Sequence, residues 1–187
     1  WAIAAIAAIA HEGGALMHTD AVQSVAHIET DVDRLGVDFL SLSGHKFNGP
    51  KGVGALYARS RETFVPFVDG GGQEWGMRGS THNMPGIVGL GKAAELGLQR
   101  LPTEIRRVGG LRDRLYHTLQ EKIAGVTLNG AATERVPQNL NIRIDGIDNE
   151  ALLVALNEEG IIAAGGSACT AQETVPSHVL TAIGCST

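Results

Sequence analysis

The residues best placed to do chemistry lie in SLSGHKFNGPKG, residues 41–52, where Lys46 follows Ser-Gly-His at the end of an apolar run. A lysine amine condenses with an aldehyde to give a Schiff base, and pyridoxal phosphate is the common aldehyde partner. Such a cofactor needs a carboxylate against its ring nitrogen and hydrogen-bond donors around its phosphate. Asp20, at the end of the preceding strand pattern, is a candidate for the first task. Ser43 and His45, flanking the lysine, are candidates for the second. Taken singly, each residue also has a plainer reading. A lysine is ordinarily a solvated surface residue, and Asp20 can serve as a turn or cap residue. Lys51 reads as a loop lysine, because the GxxxxGK[ST] phosphate loop is absent.

A second reactive group is Cys169 in GGSACT, residues 165–170. The thiolate is the nucleophilic form of cysteine, and local positive charge or glycine-loop amides would favour it. The small residues Ala163, Ala164, Gly165, Gly166, Ser167 and Ala168 suit a flexible tether for such a group. An inert buried thiol is the alternative. Cys185 follows Gly184 and has no comparable context. Two cysteines sixteen positions apart make neither a CxxC motif nor a disulfide framework, so a reducing cytoplasm is the default compartment. His11, His18, His27, His82, His117 and His178 are scattered without HExxH or paired spacing, and no metal site is expected. His18 opens HTDAVQ and either lines the site or packs beside it.

These groups need elements to carry them. The chain has 187 residues, 43% hydrophobic and 19% charged, enough for a packed core. Fifteen basic and twenty acidic residues leave a net charge of −5, without the basic excess that phosphate neutralisation requires, so no nucleic-acid partner is expected. WAIAAIAAIA is too short for a membrane span and lacks a basic leader. It reads as a buried helix with Ile3, Ile6 and Ile9 along one side and Gly13-Gly14 at its end. The chain begins without Met or a capping residue, so a piece of a longer protein is expected.

Strand patterns at ALMHTDAVQ, VDFLSLS and GVGALYAR alternate with helical turns, which predicts a mainly parallel sheet covered by helices on both faces. In such sheets the site forms at the carboxyl ends of the strands. The glycine-dense VDGGGQEWGMRGSTHN reads as a functional loop. MPGIVGLGKAAELGLQRL predicts a helix with Pro85 near its start, followed by a second helical region loosened near Gly109-Gly110. Beyond it come strands at VTLNG and NLNIRIDG and a helix capped by Asp148 and Gly160. A short strand at IIAA and a short helix from Pro176 to Gly184 complete the pattern.

HTDAVQ, SLSGHKFNGPKGVGALY, GGGQEWGMRGST and GGSACT, in this order, resemble the class V aminotransferases, and within them the cysteine desulfurases of the NifS and IscS type. The resemblance covers nearly the whole chain. It implies an α/β fold: residues 1–105 would be the second half of a fold type I large domain that binds pyridoxal 5′-phosphate. Residues 106–187 would be a partial, smaller α+β domain carrying the cysteine loop. It implies a Schiff base on Lys46, Asp20 at the pyridine nitrogen and Gln23 at the ring hydroxyl. Ser43 and His45 would hold the phosphate, and Thr81 would reach the phosphate of a partner subunit in a homodimer. Cys169 would take sulfur from L-cysteine as a persulfide and hand it to an acceptor protein such as an iron–sulfur scaffold or a tRNA-thiolation partner. Selenocysteine lyase, another class V aminotransferase, or a non-catalytic dimerisation or docking module are the alternatives. Family members place Ser-Gly before the threonine, whereas this chain has Gly79-Ser80. They are also roughly twice as long, so the resemblance puts a ring-stacking histidine and a substrate-clamping arginine outside these residues, and the chain alone is expected to be incomplete.

Overall fold

A computed structural model describes residues 2–62, 64–166 and 177–185. They fall into two compact units, Trp1–Gly109 and Gly110–Thr187. The first contains α1 (Ile3–Glu12), β1 (His18–Asp20), α2 (Val32–Leu35), β2 (Phe39–Ser43), a 3-10 turn at Gly44–Phe47 and β3 (Gly54–Ala58). It also takes in the start of α3 (Met84–Lys122). The sheet order is β1-β2-β3. β1 and β2 run parallel, with Asp20 opposite Ser41. β3, which the alternating pattern places in a mainly parallel sheet, is antiparallel to β2, with Ser43 opposite Gly54. The reason is the length of the connection. Residues 44–53 are too few for the crossover of a dozen or more residues that a parallel return requires.

The core of this unit gathers Ala21, Val37 and Leu40, with Ile3, Met17, Leu42 and Tyr57 packed around them. α1 contributes differently from its isoleucine spacing. Ala7 is buried, whereas Ile6 and Ile9 are 41% and 69% exposed. A step of three residues turns a helix by about 300°, so an i, i+3, i+6 row drifts by about 60° per step. Ile3, Ala7 and Ala10 stay within one stripe, and Ile9 rotates away from it. The helix ends where the glycines predict, with the Gly13 N–H donating to the Ile9 carbonyl, the Gly14 N–H donating to the His11 carbonyl, and Gly14 at φ 72°.

α2 is a single capped turn. The Asp31 carboxylate accepts from the Asp33 and Arg34 N–H groups, and Gly36 closes it at φ 66°. Arg59, just past β3, ties this turn to the sheet by donating to the carbonyls of Val37 and Val32 and to Asp33. Asp38 makes the second tie. Its Oδ2 accepts from the Met17 N–H at 2.8 Å and pairs with His11 Nε2 at 2.8 Å, joining the end of α1 to the entries of β1 and β2.

α3 is one continuous helix of 39 residues, where the sequence predicts an interruption near Gly109-Gly110. Asn83 caps it by accepting from the Gly86 N–H, and Pro85 sits in its first turn. Each glycine costs about 1 kcal/mol relative to alanine and Pro102 about 3 kcal/mol. Restarting a helix costs about 4 kcal/mol at a nucleation constant near 10⁻³. Each interruption taken alone is therefore cheaper to absorb than to obey.

The second unit holds the end of α3, β4 (Val126–Leu128), β5 (Ile142–Ile144), α4 (Asn149–Glu158) and α5 (His178–Ala182). β4 and β5 pair antiparallel. Asp148 caps α4 through the Ala151 N–H, and Gly160 follows its end at φ 73°. Ser177 caps α5. Residues 161–164, where a strand is predicted, are irregular, because no strand among the described residues pairs with them. Cys185 is half-buried, with its Sγ 3.5 Å from Asn129 Oδ1. No helix among the described residues is long and apolar enough to cross a membrane.

The Met17 N–H, and after it His11, hold the Asp38 carboxyl below its ordinary value. A folded-state pKa below the unfolded one stabilises the fold above about pH 3.9, and that stabilisation is lost as pH falls through the folded value. Asp38→Asn in the full-length gene product is expected to lower stability at about pH 6 and to flatten the loss between about pH 6 and about pH 3, read from urea midpoints. An unchanged acid limb would contradict this.

Candidate active site

Side chains alternate across a strand, so β2 presents Phe39, Ser41 and Ser43 on one face and Leu40 and Leu42 on the other. Leu40 is buried in the core and Leu42 packs against it, which leaves the serines on the opposite face. The register carries this sidedness to β1, where His18 and Asp20 share the serine face. The contact agrees: His18 Nε2 lies 2.8 Å from Ser41 Oγ. Asp20 is exposed at the carboxyl end of β1, and its Oδ1 accepts from the Val22 N–H at 2.9 Å, which fixes the carboxylate. Gln23, exposed, follows in the same turn.

β2 runs directly into the turn that carries the lysine. Ser43 Oγ and His45 Nδ1 are 3.0 Å apart. Lys46 is exposed, and its amine makes no hydrogen bond or ion pair among the described residues. The turn itself is anchored from below. Phe47 is 3% exposed. The Gly44 N–H donates to Val53 O at 2.9 Å, and the Gly49 N–H to Gly44 O at 2.8 Å. A Cβ on Gly44 would lie 3.1 Å from Leu90 Cδ1 and from Pro50 O, so glycine is what lets α3 and the Gly-Pro-Lys-Gly turn close over it. His27 Nε2 reaches Lys46 O at 2.9 Å from the turn after β1.

Five of the seven predicted site residues, Asp20, Gln23, Ser43, His45 and Lys46, thus stand at or just past the carboxyl ends of one parallel strand pair. Thr81 lies elsewhere in the first unit, exposed in the glycine-dense loop, and its hydroxyl makes no hydrogen bond among the described residues. Cys169 lies outside the described residues. His27 and Ser41 were not predicted. Ser41 was legible from its two-residue spacing to Ser43, whereas His27 carries no local signal.

An acid, a hydroxyl, an imidazole and an unpaired amine on one rigid sheet end can hold a polar ring compound bearing a carbonyl and an anionic group. The second unit has a cavity of about 370 Å³, but its cations have other work. Arg135 donates to the carbonyls of Ala131 and Asn129, and Arg112 pairs with Asp113 and reaches Val136 O. Burial, then the neighbouring Arg112, lowers the Arg135 guanidinium. These arginines close the loop between β4 and β5.

The family model described as Aminotransferase class-V matches residues 2–186. The chain belongs to the class-V aminotransferase family. It is 48% identical over 178 residues to a cysteine desulfurase of Gluconacetobacter diazotrophicus, covering 95% of this chain and 44% of the relative. It is 46% identical over 175 residues to cysteine desulfurase IscS of Dictyoglomus turgidum, covering 94% and 44%. The fold is similar to a NifS-like protein from Rickettsia africae, with a TM-score of 0.86, 29% identity, and coverage of 100% of this chain and 49% of that one. It is also similar to SspA in complex with cysteine, with a TM-score of 0.76, 37% identity, and coverage of 98% and 50%. The chain spans less than half the length of these curated relatives.

Within this class-V aminotransferase chain the Arg78-Gly79-Ser80-Thr81 loop has a physical reason for its displaced glycine. A Cβ on Gly79 would lie 2.7 Å from Asp69 O and 2.9 Å from Gly70 Cα, so position 79 requires glycine for close backbone approach. Ser80 is then left in the left-handed region at φ 87°. That conformation costs a non-glycine residue about 1–2 kcal/mol, while glycine adds about 0.4–1 kcal/mol of unfolded-chain entropy. Ser80→Gly is therefore expected to stabilise the full-length protein by about 0.5–1 kcal/mol, and Gly79→Ala to destabilise it by about 1–3 kcal/mol through the backbone shift it forces. Urea unfolding checks the pair, and effects of the same sign would contradict the assignment.

Proposed function

We propose that the protein to which these residues belong is a pyridoxal-phosphate-dependent cysteine desulfurase, converting L-cysteine to L-alanine with transfer of sulfur to Cys169. The observation that carries this reading is the convergence of Asp20, Ser43, His45 and Lys46 on the carboxyl end of the β1–β2 pair. The kinship with cysteine desulfurases supports it. In this reading residues 1–105 belong to the cofactor-binding domain and residues 106–187 to a smaller domain.

The donor set fits the cofactor. Asp20, with Oδ1 fixed by Val22, would present its other oxygen to the ring nitrogen. Gln23 would face the ring hydroxyl, and Ser43 and His45 would donate to the phosphate from a turn already held rigid. Lys46, with no carboxylate paired to it among the described residues, would supply the amine for covalent attachment. The cofactor, when bound, supplies an electron sink that weakens bonds around the substrate's α-carbon. Lys46, once released by the substrate amine, would move protons between carbons and solvent. Cys169 would act as thiolate: its sulfur bonds to the substrate sulfur as the carbon–sulfur bond breaks. The electron pair of that bond stays with carbon, and carbon takes up a proton to complete alanine. The resulting persulfide would pass its outer sulfur to an acceptor protein, such as an iron–sulfur scaffold or a tRNA-thiolation partner. A homodimer, with Thr81 serving the neighbouring subunit, and a cytoplasmic location complete the proposal.

The test uses the full-length gene product with pyridoxal phosphate, borohydride reduction and peptide mass mapping. The adduct is expected on Lys46, and Lys46→Ala is expected to lower turnover by at least about 10²-fold. Cys169→Ser is expected to abolish sulfide and alanine release from L-cysteine. An adduct on another lysine, or alanine release that survives Cys169→Ser, would overturn the reading.

A further inference from the structure

We infer that His27 is a positioning residue for Lys46, fixing through its main chain the point from which the lysine amine reaches the cofactor. This rests on the cofactor reading above. A four-residue 3-10 turn leaves its last carbonyls without partners inside the turn. Lys46 O, in the turn Gly44–Phe47, is one of these, and His27 Nε2 supplies its donor at 2.9 Å. A carbonyl only accepts, so the proton of this bond sits on Nε2.

The segment that delivers His27 is built at a cost. The His27 and Ile28 N–H groups both donate to Ser24 O, winding the chain after β1 into a tight turn. Ala26, directly before His27, is held at φ 61°, a left-handed conformation that costs a residue with a Cβ about 1–2 kcal/mol. The turn also sits against α3. A Cβ on Gly97 would come within 2.6 Å of Ala26 Cβ, so glycine at 97 is what admits the strained residue. His27 itself is half-buried. The chain therefore keeps a strained residue and a close helix approach at the place where one imidazole reaches the lysine carbonyl across nineteen positions of sequence. Phe47 and Gly44 hold the turn from the core side, and His27 holds it from the opposite strand's end. Lysine has a long flexible side chain, so its reach is defined only as well as its Cα is fixed, and displacements of about 1 Å cost up to about 10²-fold in rate.

The experiment measures how fast pyridoxal phosphate attaches to cofactor-free, full-length protein, by absorbance and by borohydride trapping mapped to Lys46. His27→Leu removes the donor, and His27→Gln keeps an N–H of similar reach. His27→Leu is expected to slow attachment at Lys46 by about tenfold or more, with the melting temperature of the cofactor-free protein little changed, and His27→Gln to recover most of the rate. Should His27→Leu fail to fold, His27→Met takes its place as the variant without a donor. Attachment at the wild-type rate in the donorless variant, or equal slowing in His27→Gln, would overturn the inference while leaving the cofactor reading intact. Wild-type protein that forms no adduct on Lys46 would remove both.

Discussion

The site depends on one pairing: β1 beside β2, parallel, with Asp20 opposite Ser41. Because side chains alternate along a strand, a slip of one residue would turn Asp20 and His18 toward the core and Thr19 outward. The register is held by the burial of Leu40 on the other face and by the Asp38 carboxylate, which ties the start of β1 to the entry of β2. Everything the lysine turn needs follows from the same pairing. β2 ends in Ser43, the turn begins at Gly44, and the chain after β1 returns close enough for His27 to reach it.

Much of this was legible in the sequence because it is local. The glycine end of α1, the strand within VDFLSLS and the cap at Asp148 are each written in a few adjacent residues. What was not legible depends on distance or on competition between terms. The antiparallel return of β3 follows from a connection length that composition does not announce. Continuity of α3 through Pro102 and two glycines follows from nucleation outweighing local propensity. The helix stripe was misread at Ile6 and Ile9 because a spacing of three drifts off a face that Ala7 occupies.

In the site the same division holds. That Asp20, Ser43, His45 and Lys46 stand at one sheet end was legible because the elements that carry them are neighbours and pair directly. His27 was not, since its role is a contact nineteen residues away. Strain recurs in the first unit: Ala26 and Ser80 both hold left-handed backbone without being glycine, Ala26 against Gly97 and Ser80 after Gly79, both glycines set by close approach. Where two demands for glycine fall together, the chain meets the steric one, which has no cheap alternative, and leaves the torsional one to a residue that tolerates it at about 1–2 kcal/mol.

In the proposed holoenzyme the strand register would bring the acid at 20 and the amine at 46 to opposite ends of one ring. A crystal structure of the full-length protein grown with pyridoxal phosphate tests it most directly. Continuous density from Lys46 Nζ into the cofactor is predicted, with an Asp20 carboxylate oxygen within about 3 Å of the ring nitrogen. Density for the cofactor on another residue, or a ring whose nitrogen faces away from Asp20, would contradict the account.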